Sequence, residues 1–139
     1  MVAIGKLHPM LVHFPIALVL AAAGAELLAI VTRRASWRTV AIVSVRAGAA
    51  TSVLTAIAGW LLASAPFIEP TRSLTLHTWT GLAGAAAATA AALLSMRPHV
   101  QSHRSVFEYQ AALFGAAAFV GIAGHLGATL VWGPDFLWR

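Results

Sequence analysis

The sequence predicts an all-α fold, an integral membrane antiparallel bundle of four helices, and three observations lead to this prediction. Hydrophobic residues make up 60% of the 139 residues and charged residues only 9%, whereas a soluble domain has about 25% charged residues. Four stretches are each as long and apolar as a membrane-spanning helix, which needs about 20 residues. The connections between them are short, which makes successive helices antiparallel neighbours.

The four predicted helices cover residues 10–31, 41–64, 74–96 and 109–132. The connections between them contain prolines and arginines, and Gly133 followed by Pro134 is a typical signal for the end of a helix. No remaining segment is long enough to form a soluble module with its own core. A single transmembrane domain over residues 1–139 is therefore predicted. The chain has no cysteine, which excludes disulfides, thiolate ligands and iron–sulfur clusters.

Positive charge distinguishes the two ends of the predicted bundle. The first and third connections contain five arginines and one glutamate: Arg33, Arg34, Arg38, Arg97, Arg104 and Glu108. Because lysine and arginine accumulate in cytoplasmic loops, both termini are predicted to face the periplasm from a bacterial inner membrane. The charge is scattered and forms no basic patch, so nucleic acid is not an expected partner. Lys6 and the apolar run after it also resemble a cleavable signal peptide, but that alternative needs the opposite orientation of the first helix.

Four of the six histidines collect at the predicted outer end of the bundle. His8 and His13 lie at the start of the first helix, His77 at the start of the third, and His125 near the end of the fourth. Ionisable side chains inside a bilayer are costly and rare. At a rise of ~1.5 Å per residue, His13, His77 and His125 lie within roughly 6 Å of depth. We therefore predict a ligand site, with His13 and His77 as the preferred pair and His125 as the main competitor.

The other histidines have different expected roles. His8 is five residues before His13, so the two side chains point roughly 140° apart on a helix that turns ~100° per residue. His8 is therefore expected at the lip of the site. Pro15 lacks an N–H group and is expected to bend the helix beside His13. His99 and His103 lie in a predicted cytoplasmic connection and are expected to be solvated.

Haem b is the predicted ligand, because it requires only two imidazoles and an apolar surrounding. Neutral imidazole also binds copper and iron, so a bare copper or iron ion held by His13, His77 and His125 is the alternative. Zinc sites usually add cysteine or carboxylate ligands. Three glycines lie within one or two turns of His77 or His125 and are candidates for making room for a macrocycle: Gly81, Gly84 and Gly121. Small residues are also typical of close helix packing in membranes.

A second polar pair is predicted at the opposite end of the bundle. Glu26 lies near the inner end of the first helix, and Arg46 lies near the inner start of the second. Antiparallel neighbours place these residues at equal depth, and a buried charge is retained when it is paired. An ion pair between Glu26 and Arg46 is therefore expected, with a proton or quinone site as the alternative.

Three segments are distinctive: 7–18 (LHPMLVHFPIAL), 77–81 (HTWTG) and 124–135 (GHLGATLVWGPD). Together they resemble a widespread bacterial family of small four-helix membrane proteins of unknown function, with an LHPxxVHFPIAL opening motif and a Gly-Gly-x-Leu-Val-Tyr-like closing motif. His125 and Trp132 depart from that closing motif. Members of the family are sometimes fused to, or encoded beside, cytochromes c and other redox proteins. The resemblance therefore implies a redox partner such as a cytochrome c or a larger respiratory complex.

These observations predict a haem-b-binding electron-transfer protein, or a subunit of a respiratory assembly, with two histidine ligands near the periplasmic face. The alternatives are a non-haem copper- or iron-binding membrane protein and a purely structural membrane subunit whose histidines form hydrogen bonds. The sequence contains no recognisable nucleophile–base pair or substrate-pocket motif, which favours an electron carrier over an enzyme in its own right.

Overall fold

The computed structural model describes residues 5–97 and 103–135, and these residues form an all-helical fold, as predicted. The four long helices are α1 (His8–Thr32), α2 (Ala35–Ala63), α3 (Arg72–Leu94) and α4 (His103–Trp132). α1 consists of a first turn, His8–Leu11, and a main segment, His13–Thr32. The interruption between them lies where Pro15 has no N–H group to donate to the Leu11 carbonyl.

Two helices extend beyond their predicted apolar cores. α2 begins at Ala35 and not at Ala41, and α4 begins at His103 and not at Tyr109. The residues added to each helix include no glycine or proline, so polar residues continue the helix without a break. The turn between α1 and α2 is consequently only Arg33 and Arg34, with Arg33 in the left-handed conformation at φ 56°.

The remaining helix ends follow from local chemistry. Thr71 caps α3, because its hydroxyl oxygen accepts a hydrogen bond of 3.1 Å from the Leu74 amide, which satisfies one of the free N–H groups of the first turn. α4 ends at Trp132, as predicted. Gly133 follows it with φ 88°, and its amide bonds the Thr129 carbonyl at 3.0 Å, which is a typical C-terminal cap.

The helices form a closed ring in which α1 contacts α2 and α4, and α3 contacts α2 and α4. α1 and α3 therefore lie diagonally opposite each other. Hydrogen bonds connect the start of one helix to the end of its neighbour, as between His8 of α1 and Thr55 of α2, and between His77 of α3 and Ala123 of α4. The starts of α1 and α3 lie at the same end of the ring, because the rings of His8 and His77 meet there.

Small residues fill the interior, and large apolar residues cover the outside. Fully buried positions include Ala22, Ala58, Ala88, Ala91 and Ala116, whereas exposed positions include Leu27, Val31, Val43, Leu54 and Leu93. A soluble protein places its large apolar side chains inside. In lipid the hydrophobic effect does not drive helices together, and small residues allow their backbones to approach closely. The apolar outer surface is of the kind that contacts a membrane or another protein.

In the described part of the chain, three of the four predicted spans are long and apolar enough to cross a membrane: α1, α2 and α4. α3 has 23 residues, which is sufficient length, but it carries His77 and several threonines and glycines, and it contains more alanine than leucine. These residues lower its hydropathy below that of the other three helices. The prediction of four spans is therefore supported for three helices by length and composition.

Candidate functional site

His8 and His77 approach each other across the bundle from the diagonal helices α1 and α3. Their ring centroids are 6.0 Å apart, and the ring planes are at 79° to each other. Both rings are partly buried. This is the pair of candidate ligands that the fold brings together, and it lies at the end of the ring where α1 and α3 begin.

Each of these two rings is held by a backbone carbonyl of the neighbouring helix. His8 Nδ1 lies 3.0 Å from the Thr55 carbonyl oxygen, and His77 Nδ1 lies 2.9 Å from the Ala123 carbonyl oxygen. A carbonyl only accepts hydrogen bonds, so Nδ1 of each neutral ring carries the proton. Nε2 of each ring is left with its lone pair. This arrangement is typical of histidines that bind a metal, because the carbonyl sets both the tautomer and the ring orientation.

A glycine lies beside each ring, one turn after the residue whose carbonyl holds it. A Cβ added to Gly59 would lie 2.7 Å from His8 Cε1, and a Cβ added to Gly127 would lie 3.0 Å from His77 Cε1. A side chain at Gly59 would force the His8 ring to shift, and one at Gly127 would press on the His77 ring. In each helical hairpin, α1–α2 and α3–α4, a histidine ring of the first helix lies against a carbonyl and a glycine of the second helix. In this respect the two histidines have equivalent surroundings on opposite sides of the bundle.

His13 and His125 do not join this pair. Both are exposed, and His13 Nδ1 lies 3.4 Å from the Met10 carbonyl oxygen of its own helix. The expected pair of His13 and His77 is therefore not brought together, and the ring that lies beside His77 is that of His8. The reason is helical periodicity: the buried face of α1 includes Pro15, which follows His8 by seven residues, or about two turns.

The same argument applies to His125, which follows the buried Ala123 by two residues and so points away from the interior of α4. Within the described residues, no group of three or more His, Cys, Asp or Glu side chains is close enough to hold a metal ion. The expected ligand set of His13, His77 and His125 is therefore not assembled. His103 is exposed, in agreement with its expected solvation, and His99 lies outside the described residues.

The glycines that we selected from the sequence have other surroundings. A Cβ at Gly81 or Gly121 would meet nothing within 4 Å, and a Cβ at Gly84 would lie 3.0 Å from Val120 Cγ2. Gly84 therefore allows α3 and α4 to pack closely. The glycines beside the histidine rings, Gly59 and Gly127, were missed. Each of these glycines lies four residues after the residue whose carbonyl contacts a histidine ring. That carbonyl can be identified only when the helix that packs against the histidine is known.

Two buried hydroxyl groups lie on the interior face of α2 near His8. Ser52 and Thr55 are 5% and 7% exposed, and neither hydroxyl oxygen has a hydrogen-bond partner in the described structure. Other hydroxyls in the helices, such as that of Thr51, donate to a carbonyl of the preceding turn. Buried polar groups are almost always satisfied, so these two hydroxyls are exceptions, and the backbone carbonyl of one of the two residues, Thr55, contacts the His8 ring.

Glu26 forms its ion pair with Arg38 and not with the expected Arg46. Arg38 Nη2 and Nε donate to the two carboxylate oxygens at 2.7 Å and 3.3 Å, and Gln110 Nε2 of α4 donates at 2.8 Å. The Glu26 side chain is completely buried. Because α2 begins six residues earlier than the sequence indicated, Arg38 lies within that helix and reaches the carboxylate. Arg46 instead donates to Ser95 of α3.

A chain with small residues inside, large apolar residues outside and three helices of spanning length has the architecture of a membrane protein. It belongs to the family of predicted membrane proteins DUF2231, whose model matches residues 5–135. The match therefore covers both histidines of the pair and the arginine-rich end. No curated protein and no solved structure matches the chain.

Proposed function

We propose that this chain is an integral membrane protein, an antiparallel four-helix bundle that binds haem b between His8 and His77 and transfers electrons. The observation that carries the proposal is the pair of rings with centroids 6.0 Å apart. Two imidazoles that ligate one ion from opposite sides have a similar separation, roughly 6 Å, since each metal–nitrogen bond is about 2 Å. We place α3 across the bilayer with the other helices, because its 23 residues are long enough and it packs against both α2 and α4.

The residues present suit a bis-histidine haem. Each ring keeps an Nε2 lone pair, and its Nδ1–H donates to a carbonyl, which raises the basicity of a ligating imidazole. Haem supplies four ligands of its own, so two side chains are sufficient, whereas most bare metal sites need further protein ligands. When bound, haem supplies a one-electron couple whose potential depends on the axial ligands, on burial and on nearby hydrogen bonds. The Thr55 carbonyl that accepts the hydrogen bond from His8 belongs to a residue whose own hydroxyl is buried and without a partner in the described structure.

Copper is the second candidate, and one observation favours it. The glycines beside the two rings allow tight packing, and a bare ion takes up far less space between two rings with centroids 6.0 Å apart than a macrocycle does. Neutral imidazole is a good copper ligand. Haem brings a macrocycle as well as an ion, so it needs more space around the pair than copper does.

The proposal is tested by the visible spectrum of the full-length protein purified after expression with added haem precursor. We expect the absorption of a low-spin, six-coordinate haem b, at about one haem per chain. A colourless protein that contains copper by elemental analysis would support the second candidate. A colourless protein without metal would leave the purely structural role, in which the two histidines only join helices.

We also propose that both termini face the periplasm of a bacterial inner membrane, with the histidine pair near the periplasmic surface. A redox partner there, such as a cytochrome c or a larger respiratory complex, is consistent with the position of the pair at one end of the bundle. The resemblance to proteins that are encoded beside cytochromes supports the same partner class.

The orientation predicts the behaviour of reporter fusions, because arginines are retained on the cytoplasmic side. Alkaline phosphatase fused after the C-terminus is expected to be active, since it reaches the periplasm. The same reporter fused after Arg97, at the arginine-rich end, is expected to be inactive, and a fluorescent protein at these two sites should give the reverse pattern. Phosphatase activity at Arg97 alone would contradict the orientation.

A further inference from the structure

A lateral groove of about 680 Å³ lies between α2 and α3, and its lining residues do not include His8 or His77. Its walls include Val53, Ile57 and Trp60 of α2 and Leu82, Ala86 and Leu93 of α3. Thr89 also lines it, but the hydroxyl of Thr89 donates to the Ala85 carbonyl of its own helix at 2.8 Å. The groove therefore offers an apolar surface of the kind that holds a hydrocarbon chain.

A cation lies at the inner end of this groove. Arg46 precedes the groove residue Val53 by seven residues, which is about two turns along the same face of α2. Its guanidinium reaches the end of α3, where Nε donates to Ser95 Oγ at 3.0 Å and Nη2 donates to the Ser95 carbonyl at 2.8 Å. Both acceptors are neutral oxygens, and Arg46 is exposed. Its charge is therefore not matched by a carboxylate among the described residues.

The surroundings of Arg46 are strongly positive. In the described part of the chain this end contains six arginines and two glutamates: Arg33, Arg34, Arg38, Arg46, Arg97, Arg104, Glu26 and Glu108. Glu26 is already bound to Arg38, and Glu108 is shared between Arg97 and Arg104. A ligand at the inner end of the groove thus meets an uncompensated positive charge.

We propose that the groove between α2 and α3 is a binding site for an anionic phospholipid, with its phosphate at Arg46 and an acyl chain along the apolar walls. Charge complementarity selects this occupant. Basic pockets between helices on the cytoplasmic side bind anionic head groups. A zwitterionic lipid would bring its own cation to the guanidinium, and a parallel second copy would bring another arginine-rich end. This inference is independent of the histidine pair and of haem.

The test is native mass spectrometry of the full chain in detergent, titrated with phosphatidylglycerol or with phosphatidylcholine of identical acyl chains. We expect phosphatidylglycerol to bind roughly five- to tenfold more tightly, as one arginine near an anionic head group provides. Arg46→Gln should reduce its affinity to that of phosphatidylcholine. Arg34→Gln, which removes an exposed arginine from the α1–α2 turn, is the matched control and should leave the preference intact.

A second variant tests the groove itself. Ala86 lines the groove and is exposed, so Ala86→Leu fills the groove without disturbing the buried core, and it should weaken both lipids severalfold. Arg46→Lys keeps the charge and should retain the preference for phosphatidylglycerol. This variant replaces Arg46→Gln as the test if circular dichroism shows that Arg46→Gln has lost its helical structure. Equal affinity for the two lipids would overturn the proposal. Three other results would also overturn the proposal. They are displacement of the lipid by free glycerol phosphate at the concentration used for the lipid, loss of the lipid preference in Arg34→Gln, and formation of a dimer that excludes lipid from the groove.

Discussion

Replacing either His8 or His77 by alanine is expected to abolish the low-spin haem b spectrum of the purified protein. Each substitution removes one of the two side chains whose rings lie 6.0 Å apart, so only one axial ligand would remain. The carbonyl groups of Thr55 and Ala123, which hold these rings, stay satisfied within their own helices. The fold should therefore survive, and the measurement is the visible spectrum together with haem content per chain.

The matched controls are the exposed histidines. His13→Ala and His103→Ala should leave the spectrum unchanged, because neither ring faces the interior. Two glycine variants give a further comparison. Gly59→Ala places a Cβ 2.7 Å from His8 Cε1 and should disturb the spectrum. The Cβ of Gly81→Ala meets nothing within 4 Å, so this variant should leave the spectrum unchanged. Loss of the spectrum in His13→Ala with retention in His8→Ala would contradict the assignment of the pair.

Replacing Arg38 by glutamine is expected to lower the free energy of unfolding by about 3 kcal/mol, because it leaves a buried carboxylate without its cation. Glu26 is fully buried, and the side chain of Arg38 is 38% exposed. Glu26→Gln should therefore have a smaller effect, about 1 kcal/mol, since the unpaired arginine still reaches water. The measurement is thermal or denaturant unfolding in detergent, followed by tryptophan fluorescence.

The double variant of Glu26 and Arg38 should lose less stability than the sum of the two single variants, because they form one interaction. The control is the pair of Glu26 and Arg46, for which we expect additive losses, since Arg46 binds Ser95. Additive losses for Glu26 and Arg38 would show that they do not form an energetically coupled pair. The haem spectrum should persist in all these variants, because Glu26 lies about 27 Å along α1 from His8 at ~1.5 Å per residue.

Local features of the sequence were sufficient to predict the helices. The ends of α4 at Trp132 and of α1 at Thr32 lie at or next to their predicted positions, because glycine, proline and runs of polar residues act over a few residues. The starts of α2 and α4 were placed too late. Hydropathy marks where apolar residues begin, whereas a helix continues through polar residues until a residue breaks it.

The site was harder to predict, because its residues come from separate helices. The depth of the histidines indicated the end of the bundle at which two histidine rings meet, but residues on opposite faces of a helix can lie at the same depth. The choice between His8 and His13 depends on rotation about the axis of α1, which the buried Pro15 and Val19 reveal. The partner of Glu26 likewise depends on how far α2 extends beyond its apolar segment.

The sequence by itself determined that the chain is helical and that its helices are apolar enough for a membrane. It also determined that the arginine-containing connections and four of the six histidines lie at opposite ends of the bundle. These properties follow from composition and from spacing along one chain. Only the tertiary structure decided that His8 faces His77, that Gly59 and Gly127 make room for the rings, and that Glu26 binds Arg38. The physical reason is that these contacts join different helices, and their geometry depends on helix rotation and close backbone approach.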